Sequence, residues 1–489
     1  WEEADLICVG GMLTQQPGIL EVIERAKRSG KYVVVGGADA SSQPEVYVDA
    51  DARVLGEGEL SVPIWLESWR NGKREGVFEA GGRPDVKTTP IPRFELLNFA
   101  DYVHIGVQFS RGCPFNCEFC DIIELYGRVP RSKTAEQFMA ELEYLYQLGY
   151  RGWVDVVDDN FIGNKPIVKP MLDVLEKWSR ERKFPFYFST EATMNLADDA
   201  DLLKKMQAAE FRFVFMGIET PDPELLALTQ KRVNSMKPIV ERVRQVYEHG
   251  ISVTAGFIFG FDSEKPGNDH VMTECIEQTG IVVAMVGLLV ALPNTQLTRR
   301  LQREGRLLSP ELKLVTDNET PYRIMNKGQY GEGEDNQATG LNFVTTRDRV
   351  EVYREYKKVL ETIYSPKNFM DRVLDTTRRL KLRRRRKPGW WETKRELRGL
   401  LSMMWWMTRD KSVRRYYWRN SFRSLLMGFD KFDAAQTMMM SYMHFKKQSR
   451  HVVQQLDINI DFAIHRASYP RMMEPASGSA QLTVVRSEP

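Results

Sequence analysis

The sequence predicts an α/β fold in three parts: a doubly wound parallel sheet in residues 1–80, a partial (β/α)6 barrel in residues 101–308 and a mainly helical extension in residues 309–470. Two observations support this prediction. Between residues 4 and 293, short apolar segments alternate with amphipathic segments of helical spacing, which is typical of parallel sheets covered by helices. At 489 residues, the chain is also too long for a single hydrophobic core, so several domains are expected.

Composition excludes several classes of protein. The 69 Lys and Arg residues nearly balance the 66 Asp and Glu residues, and the net charge of +3 means that any basic binding surface is local. Five cysteines in so long a chain do not form a disulfide framework, so we expect a reducing, cytoplasmic compartment. No apolar segment reaches the roughly 20 residues of a membrane-spanning helix. The chain starts without Met and enters an apolar strand at once, so we expect upstream residues of the first domain to be missing.

The first domain is predicted from apolar segments that end in glycines. Residues 4–12 and 31–41 are apolar runs ending in paired glycines, and the residues between them have helical spacing. Residues 50–69 add a third strand, a Gly-Glu-Gly turn and a helix. Glycines at the carboxyl ends of parallel strands either allow a ligand to approach closely or serve tight turns. Residues 81–100, rich in Pro and Gly, are predicted to form the linker to the second domain.

The second domain is predicted from six strand-like segments separated by helical patterns. The strands are expected within residues 103–110, 152–160, 185–192, 211–219, 251–262 and 281–293. Polar residues gather at the ends of four of these strands, on the face that forms the site in barrels of this kind. They either line a site or serve as helix caps and solvated loops. These residues are Asp158, Asp159, Asn160, Glu191, Glu219 and Asp262.

Three of the five cysteines lie within eight residues, in the segment FSRGCPFNCEFCDII. Cys113, Cys117 and Cys120 follow the first barrel strand, so we expect them at the carboxyl ends of the strands. Three thiolates can bind three irons of a [4Fe–4S] cluster and leave the fourth iron open for a substrate or cofactor. A zinc site would require a fourth protein ligand, whereas the other cysteines, Cys8 and Cys275, belong to other elements and are predicted to be core residues. A third interpretation treats the three cysteines as small apolar residues.

The cysteine spacing resembles that of the radical S-adenosylmethionine (SAM) superfamily, CxxxCxxC with an aromatic residue, here Phe119, before the last cysteine. This resemblance implies that Cys113, Cys117 and Cys120 bind a [4Fe–4S] cluster and that SAM chelates the open iron. It also implies a reductant such as flavodoxin or ferredoxin. One-electron cleavage of SAM would then produce a radical that abstracts hydrogen from an unactivated carbon.

The same resemblance implies a set of SAM-binding residues around the barrel mouth. The VVDDNF segment matches the position that contacts the methionine amino group, and the FSTEA and GIET segments match polar positions near the cofactor. The GFIFGF segment, with Gly256 and Gly260, is similar to the fifth-strand glycine motif beside the adenine. The SAM-binding residues implied in this way are Phe119, Asp158, Asp159, Asn160, Glu191, Glu219 and Gly256.

A doubly wound domain before such a barrel resembles the Rossmann-like domain of the cobalamin-binding class of this superfamily. The VVVGGADAS and LGEGE segments match the usual positions of that domain's second half. No histidine precedes His104, so the sequence lacks the Asp-x-His-x-x-Gly motif that supplies a lower cobalt ligand. The resemblance implies that cobalamin is bound at Gly10, Gly11, Gly36, Gly37, Gly56, Glu57 and Gly58.

In the last third of the chain, the TGLNF and IYSPKNF segments resemble the C-terminal extension of the class that includes the hopanoid C-2 methyltransferases. Residues 326–343 form a polar loop with several glycines that is predicted to close over the barrel mouth. Residues 346–373 are predicted to form a helix, a proline turn and a second helix. The final residues, 471–489, are predicted to be disordered.

Residues 378–429 alternate arginines with Trp, Tyr, Met and Leu at a spacing compatible with helices. This composition suits a membrane surface, where aromatic rings lie at headgroup depth and cations meet anionic lipid. It is also compatible with a packed helical bundle whose arginines reach solvent, or with phosphate contacts to nucleic acid. We favour peripheral contact with a membrane and expect no nucleic-acid partner.

Together these features predict a cobalamin-dependent radical SAM methyltransferase that uses one SAM as methyl donor and another as radical source. The predicted substrate is hydrophobic, most specifically a hopanoid-type lipid methylated at C-2, and the predicted location is the cytoplasm, at the inner face of the membrane. One alternative is a radical lipid or tetrapyrrole cyclase or coupling enzyme without methyl transfer. Another is a tRNA-modifying radical enzyme, although the sequence has no second cysteine triad. A third is a cluster-bearing scaffold without catalytic activity.

Overall fold

The structure is a computed structural model that describes residues 3–231, 234, 237–308, 340–383, 386 and 389–465. These residues form two parallel sheets with flanking helices, followed by a helical region, which confirms the predicted fold class. Strands and helices are numbered below in chain order.

The N-terminal sheet consists of four parallel strands with helices on both faces. Its elements are β1 (Leu6–Gly10), α1 (Gln16–Arg28), β2 (Tyr32–Gly36), α2 (Gly37–Ser42), β3 (Ala52–Leu55), α3 (Gly58–Arg70) and β4 (Gly76–Glu79). The strand order is β1-β2-β3-β4. Ile19 and Ile23 of α1 pack against one face of the sheet, and Trp65 of α3 packs against the other. The domain is therefore doubly wound, as the sequence predicts.

Two elements and one residue of this domain differ from the sequence-based expectation. Helix α2 has the sequence GADASS, and β4 is only four residues long, so neither carries the periodic apolar pattern that identifies helices and strands. The prediction that Cys8 is a core residue was wrong. Cys8 is exposed because β1 lies at the edge of the described sheet.

The barrel is formed by six parallel strands. They are β5 (Ile105–Val107), β8 (Gly152–Val156), β9 (Phe186–Glu191), β10 (Phe211–Glu219), β11 (Ser252–Phe259) and β12 (Ala284–Leu288), and a short antiparallel pair, β6 (Ser110–Arg111) and β7 (Arg131–Ser132), lies beside them. The strand order is β12-β11-β10-β9-β8-β5. The helices of this domain are α4 (Ile122–Leu125), α5 (Ala135–Gln147), α6 (Lys165–Glu181), α7 (Ala200–Ala208), α8 (Pro223–Leu228), α9 (Ile239–Glu248), α10 (Asn268–Thr279) and α11 (Gln296–Arg303).

The barrel has an aromatic floor at the N-terminal ends of its strands. Burial alternates along β8 and β11, and the more buried side chains, such as Val154, belong to the main hydrophobic core. The opposite side chains face the barrel interior. The Trp153 ring of β8 lies 6.4 Å from the Tyr187 ring of β9 and 5.8 Å from the Phe213 ring of β10, measured between centroids. Because β8 and β10 are not neighbours in the sheet, the contact with Phe213 shows that the sheet is curled.

The C-terminal region is helical and is attached to the last barrel strand. Its helices are α12 (Arg349–Ile363), α13 (Pro366–Arg379), α14 (Trp390–Arg409), α15 (Arg414–Leu426) and α16 (Phe429–His465). Pro366 begins α13, as the predicted proline turn requires. The hydroxyl groups of Tyr356 and Tyr364 donate hydrogen bonds to backbone carbonyls of β12, at 2.8 and 2.6 Å. None of the described helices has an apolar stretch long enough to cross a membrane.

The loop predicted to close over the barrel mouth lies largely outside the described residues, and so does the predicted disordered tail. The described end of the loop, residues 340–343, packs beside the carboxyl end of β12. The Leu341 N–H donates to the carbonyl of Leu289 at 2.7 Å, and the Asn342 side chain bonds to the backbone of Ala291 in both directions. This part of the loop therefore lies at the mouth of the barrel.

Candidate active site

The three clustered cysteines lie in a loop at the mouth of the barrel, between β6 and α4. Cys117 is buried, and Cys113 and Cys120 are partly buried. The loop begins at Gly112, whose φ of +93° disfavours any residue with a Cβ. A Cβ at this position would also lie 2.9 Å from the carbonyl oxygen of Gly127. The backbone path into the cysteine loop therefore requires glycine.

Two of the predicted SAM-binding residues hold the backbone that leads into the cysteine loop. The buried Asp158 carboxylate accepts hydrogen bonds from the N–H groups of Phe109 and Ser110, at 2.7 and 2.8 Å, and from the Ser110 hydroxyl at 2.7 Å. Asp159 accepts a hydrogen bond from the Gly112 N–H at 2.7 Å. Burial raises the pKa of Asp158 to about 7, although these hydrogen bonds oppose the rise. Both aspartates thus position the loop.

Charged residues from the end of the barrel hold the other side of the loop. The Glu118 carboxylate forms an ion pair with Arg300 of α11 at 2.9 Å, and the Leu297 N–H donates to the Glu118 carbonyl at 2.8 Å. Arg300 also pairs with Asp262, the polar residue after β11, at 3.0 Å. The cysteine loop is therefore held on one side by residues that follow β8 and on the other side by α11, which follows β12.

A buried ion pair between Lys231 and Glu219 lies beside the cysteine loop. The Lys231 Nζ atom is 5.9 Å from the centroid of the Phe119 ring. Burial lowers the pKa of Lys231, but the negative charges of Glu219 and Cys117 outweigh burial and raise it overall. Lys231 therefore places a positive charge beside the thiols. No local sequence pattern distinguishes Lys231 from a surface lysine, so its role cannot be predicted from the sequence alone.

Three thiols are the donor set that three irons of a [4Fe–4S] cluster require. Burial raises the pKa of all three thiols, that of Cys117 to about 11, and the charges of Cys113 and Cys117 contribute to the rise at Cys120. The three thiols are therefore within electrostatic range of one another. Among the described residues, no three His, Cys, Asp or Glu side chains are placed to bind one metal ion together. A donor set made only of thiols, each of which would bind a different iron, is typical of a [4Fe–4S] cluster.

Polar side chains line the barrel between the aromatic floor and the cysteine loop. Glu191, at the end of β9, is open to solvent, yet the surrounding protein atoms and the nearby Asp155 and Asp159 carboxylates raise its pKa to about 7. The Asn160 side-chain amide lies 3.8 Å from the Cys113 sulfur and is in hydrogen-bonding contact with it. The structure thus brings Asn160 and Glu191 to the mouth of the barrel, as the sequence predicts.

Glycines replace side chains on the opposite wall of the barrel. Gly256 of β11 is paired in register with Gly217 of β10, and both face the interior. A Cβ on Gly217 would lie 2.6 Å from Lys231 Nζ, so this glycine leaves room for the buried ion pair. Gly260, with φ of +98°, ends the strand. The other two glycines likewise make room for neighbouring side chains, since a Cβ on Gly256 would lie 3.0 Å from the Phe215 ring and one on Gly260 would lie 2.7 Å from Leu341.

An ionic cluster joins the N-terminal domain to the barrel next to the cysteine loop. Arg111 pairs with Glu57 and Glu59, each at 2.7 Å, and Arg131 pairs with Glu57 at 2.7 Å. Glu57 immediately precedes Gly58, the first residue of α3. The Glu57 and Glu59 side chains are only 5% and 13% exposed, so these are largely buried contacts. Neither arginine belongs to a sequence pattern that would predict its role.

A second contact shows that the carboxyl ends of the two sheets face each other. The Asn294 side-chain amide, located after β12, donates to the carbonyl of Ser42 at the end of α2, at 2.9 Å. Arg111 and Glu57 likewise lie after the first barrel strand and after β3. The cysteine loop therefore faces the ends of the N-terminal strands.

The predicted cobalamin-binding glycines fall into two groups. Gly10, Gly36 and Gly37 contact neighbouring backbone: a Cβ on Gly10 would lie 2.9 Å from the Gly36 oxygen, and one on Gly37 would lie 3.1 Å from the Gly11 nitrogen. These glycines allow the strand ends to pack closely. Gly56 has φ of +78°, and a Cβ on this residue would meet no atom of the described residues within 4 Å, so they leave the space beside it open.

Replacing Arg111 by Met should weaken the contact between the two domains, because it leaves the Glu57 and Glu59 carboxylates without this cation. Breaking a fully buried pair costs about 3–5 kcal/mol, and Arg111 is partly exposed, so we expect the free energy of unfolding to fall by about 2 kcal/mol. Urea unfolding at neutral pH would measure this loss. The control is Arg28→Met, since Arg28 pairs with Glu24 on an exposed surface. An unchanged urea midpoint for the Arg111 variant would contradict the prediction.

The same variant should change the response of stability to acid. Burial raises the pKa of Glu59, but hydrogen bonds from Arg111 outweigh burial and lower the pKa to about 2, from an ordinary value of 4.5. A pKa that is depressed in the folded state stabilises the protein above pH 4.5, and this stabilisation is lost as the pH falls toward 2. Over this range the Arg111→Met variant should therefore lose less stability on acidification than the wild type. If the two proteins lose the same amount of stability between pH 4.5 and pH 2, Arg111 is not the cause of the low pKa of Glu59.

Comparison with known proteins supports this architecture. The family model of the radical SAM superfamily matches residues 107–272, which contain the cysteine loop and the barrel strands through β11. A second model, described as Domain of unknown function (DUF4070), matches residues 295–457, which include most of the helical extension.

Two relatives are at least 40% identical to the chain over the regions that align. An uncharacterized methyltransferase of Synechocystis sp. is 42% identical over 374 residues, which cover 76% of this chain and 66% of the relative. The hopanoid C-2 methylase of Rhodopseudomonas palustris is 40% identical over 310 residues, which cover 62% of this chain and 59% of the relative. The matched region thus spans less than two thirds of the length of these relatives.

Solved structures with the same fold cover most of the chain. The cobalamin-dependent SAM radical enzyme OxsB covers 96% of this chain and 73% of its own, with a TM-score of 0.54 and 15% identity. The radical SAM methyltransferase TsrM from Kitasatospora setae covers 62% of this chain and 65% of its own, with a TM-score of 0.53 and 17% identity. With its three cysteines at the mouth of a curled parallel sheet, the chain contains a radical SAM domain in residues 107–272, and its overall fold is similar to that of cobalamin-dependent radical SAM enzymes.

Proposed function

We propose that this protein is a cobalamin-dependent radical SAM methyltransferase that methylates an unactivated carbon of a hydrophobic substrate, specifically C-2 of a hopanoid-type lipid. One observation carries the proposal: the cysteine loop at the barrel mouth faces the carboxyl ends of the N-terminal sheet across the Arg111–Glu57 contact. SAM bound at the cluster in the barrel and cobalamin bound at the N-terminal sheet would therefore both face the space between the two domains. The identity of 40% with a hopanoid C-2 methylase supports the choice of substrate.

The residues that would hold each cofactor are separated in the structure. Cys113, Cys117 and Cys120 would bind the [4Fe–4S] cluster, and Asn160 and Glu191 would contact SAM. Cobalamin would lie against the glycine-rich ends of the N-terminal strands, where the surroundings of Gly56 are open. When bound, the cluster supplies the electron that cleaves SAM, and cobalamin supplies methyl transfer.

The chain's own residues orient these groups and keep water away. Asp158 and the Glu118–Arg300 pair hold the cysteine loop from opposite sides, so the cluster site cannot shift relative to the barrel. The aromatic floor around Trp153 closes the barrel below the site. Exclusion of water protects a carbon radical from side reactions. Glu191, whose pKa is raised to about 7, can hold or release a proton at its carboxylate near neutral pH.

The proposal is tested by anaerobic reconstitution with iron and sulfide, followed by incubation with SAM, a reductant, cobalamin and a hopanoid that lacks the C-2 methyl group. We expect 5′-deoxyadenosine, S-adenosylhomocysteine and a hopanoid with one added methyl group, detected by mass spectrometry. The matched control omits cobalamin, which should abolish the methylated product.

Three other outcomes would each contradict part of the proposal. Deoxyadenosine without S-adenosylhomocysteine would overturn methyl transfer in favour of ring formation or coupling. Methylation of added tRNA, but not of the lipid, would contradict the proposal that the substrate is a lipid. If a protein with full iron content yields neither coproduct, the catalytic assignment itself is wrong.

A further inference from the structure

Helix α14 presents an apolar row to solvent. Leu397, Leu401 and Trp405 follow one another at four-residue spacing and are 53%, 56% and 51% exposed. Met403 and Met407, on another face of the same helix, are buried in the main core. A helix with apolar side chains on two faces is suited to two apolar environments. The described part of the chain covers only one of these faces.

Helix α15 continues this apolar surface. Trp418, Phe422 and Leu425 are exposed at the spacing of one helix face, and Leu426 beside them is 73% exposed. The Trp418 indole N–H donates to the Thr408 hydroxyl, near the end of α14, at 3.2 Å. The two exposed rows are thereby brought side by side. The α14–α15 surface is defined here by Leu397, Leu401, Trp405, Trp418, Phe422, Leu425 and Leu426.

The α14–α15 surface is flanked by positive charge. Residues 390–429 contain nine Lys and Arg residues and three Asp and Glu residues, in a chain whose total net charge is +3. The Arg409 guanidinium lies 4.4 Å from the centroid of the Trp405 ring. Within the described residues, no ion pair engages Arg398, Arg414 or Arg415. The one Asp in this segment, Asp410, is neutralised by Lys446.

This combination of side chains fits the surface of an anionic bilayer. Trp and Phe side chains lie favourably at headgroup depth, the Leu side chains enter the acyl boundary, and the arginines meet lipid phosphates. A second copy of the same surface would bring arginines against arginines, which disfavours self-association. Nucleic acid would use the arginines but would leave the leucine row in water.

The α14–α15 surface lies away from the candidate active site. Asn420 of α15 is hydrogen-bonded to the Met370 carbonyl of α13, and Thr376 of α13 is hydrogen-bonded to the Gly280 carbonyl, just before β12 begins. These contacts place α13 and α15 near the N-terminal ends of the barrel strands, whereas the cysteine loop lies at their carboxyl ends. The surface is therefore separate from the cofactor-binding mouth.

We propose that the α14–α15 surface docks this protein onto the surface of an anionic phospholipid bilayer, with its aromatic and leucine side chains in the interfacial layer and its arginines on lipid phosphates. Docking at the interface requires no membrane-spanning helix. It also requires no catalytic turnover, so this proposal does not depend on the proposed reaction.

The test is flotation of the full chain with vesicles of phosphatidylcholine alone and with vesicles containing about 30% phosphatidylglycerol, a content typical of a strongly anionic surface. We expect binding to the anionic vesicles that weakens as salt is added. The Trp405→Ser/Phe422→Ser variant should bind at least about tenfold more weakly, because it removes two large apolar groups from the interface. The Arg414→Glu/Arg415→Glu variant should also bind the anionic vesicles more weakly than the wild type. Its binding to phosphatidylcholine vesicles should not change.

The control variant is Leu96→Ser, which changes a side chain that is 72% exposed but far from the α14–α15 surface in sequence. It should bind like the wild type, and thermal unfolding should show that all variants are folded. Absence of vesicle binding by the wild type, or equal binding by wild type and the Trp405→Ser/Phe422→Ser variant, would overturn the proposal. The proposal would also be overturned if the wild type dimerises without binding vesicles and the Trp405→Ser/Phe422→Ser variant no longer dimerises. The surface would then bind a second copy of the chain.

Discussion

Replacing Cys113, Cys117 or Cys120 by Ala should reduce the formation of 5′-deoxyadenosine from SAM by more than about a hundredfold. Loss of a residue beyond the ligand shell of a metal site already costs 10- to 100-fold, and each of these changes removes a ligand itself. The three thiols lie in one fixed loop, and no other described cysteine is near enough to replace them. Iron and sulfide content and the visible absorbance of the cluster should fall together with the activity.

Cys8→Ala is the matched control for these three variants. Cys8 is exposed on β1, in the other sheet, so its removal should leave iron content and deoxyadenosine formation at wild-type levels. A wild-type rate in any one of the three loop variants would show that its cysteine is not a ligand. A loss of iron in Cys8→Ala would show instead that the assay reports general instability.

Replacing Asp158 by Ala should destabilise the fold and reduce cluster loading. The change removes a buried acceptor and leaves the N–H groups of Phe109 and Ser110 without partners at the base of the cysteine loop. Each buried polar group left unpaired costs about 1–3 kcal/mol, so we expect a total loss of about 3 kcal/mol. Urea unfolding would measure the stability, and iron content after reconstitution would measure the effect on the loop.

The Asp158→Asn variant separates the contribution of the hydrogen-bond acceptor to stability from that of the negative charge. Burial raises the pKa of Asp158 to about 7, so much of its population is neutral near pH 7, and a neutral amide keeps one acceptor oxygen. We therefore expect this variant to lose about half as much stability as Asp158→Ala, because one donor still finds a partner. Asp173→Ala, on the exposed side of α6, is the control and should leave the urea midpoint unchanged. Equal stability of Asp158→Ala and the wild type would show that the loop is held by other contacts.

The cysteine motif could be found from sequence because it is local. Its three ligands lie within one short loop, so spacing alone predicts that they converge. The predicted strand segments were also found in the barrel, since buried parallel strands are continuous apolar runs bounded by glycine and polar residues. Apart from β10, whose bounds equal the predicted segment, the observed strands are shorter than the predicted segments, because pairing with neighbouring strands decides where a strand ends.

The residues that hold the site could not be found in this way. Lys231, Arg111 and Arg300 each act on a partner that is distant in sequence or in another domain, and a lone basic residue carries no pattern of its own. The aspartates after β8 are predicted to contact SAM, and the structure shows that their carboxylates also hold the backbone that enters the cysteine loop. Only the packed structure shows which donors reach them.

By itself, the sequence determined the fold class and the presence of a radical SAM domain, and it predicts which cysteines bind the cluster, because these depend on periodicity and on spacing within short segments. The tertiary structure decided which charges are buried together, which glycines pack and which leave open space, and that the exposed faces of α14 and α15 adjoin. These features depend on contacts between residues far apart along the chain. Their energies are set by burial and by the distance between partners, and neither quantity exists until the sheets have curled and the helices have packed.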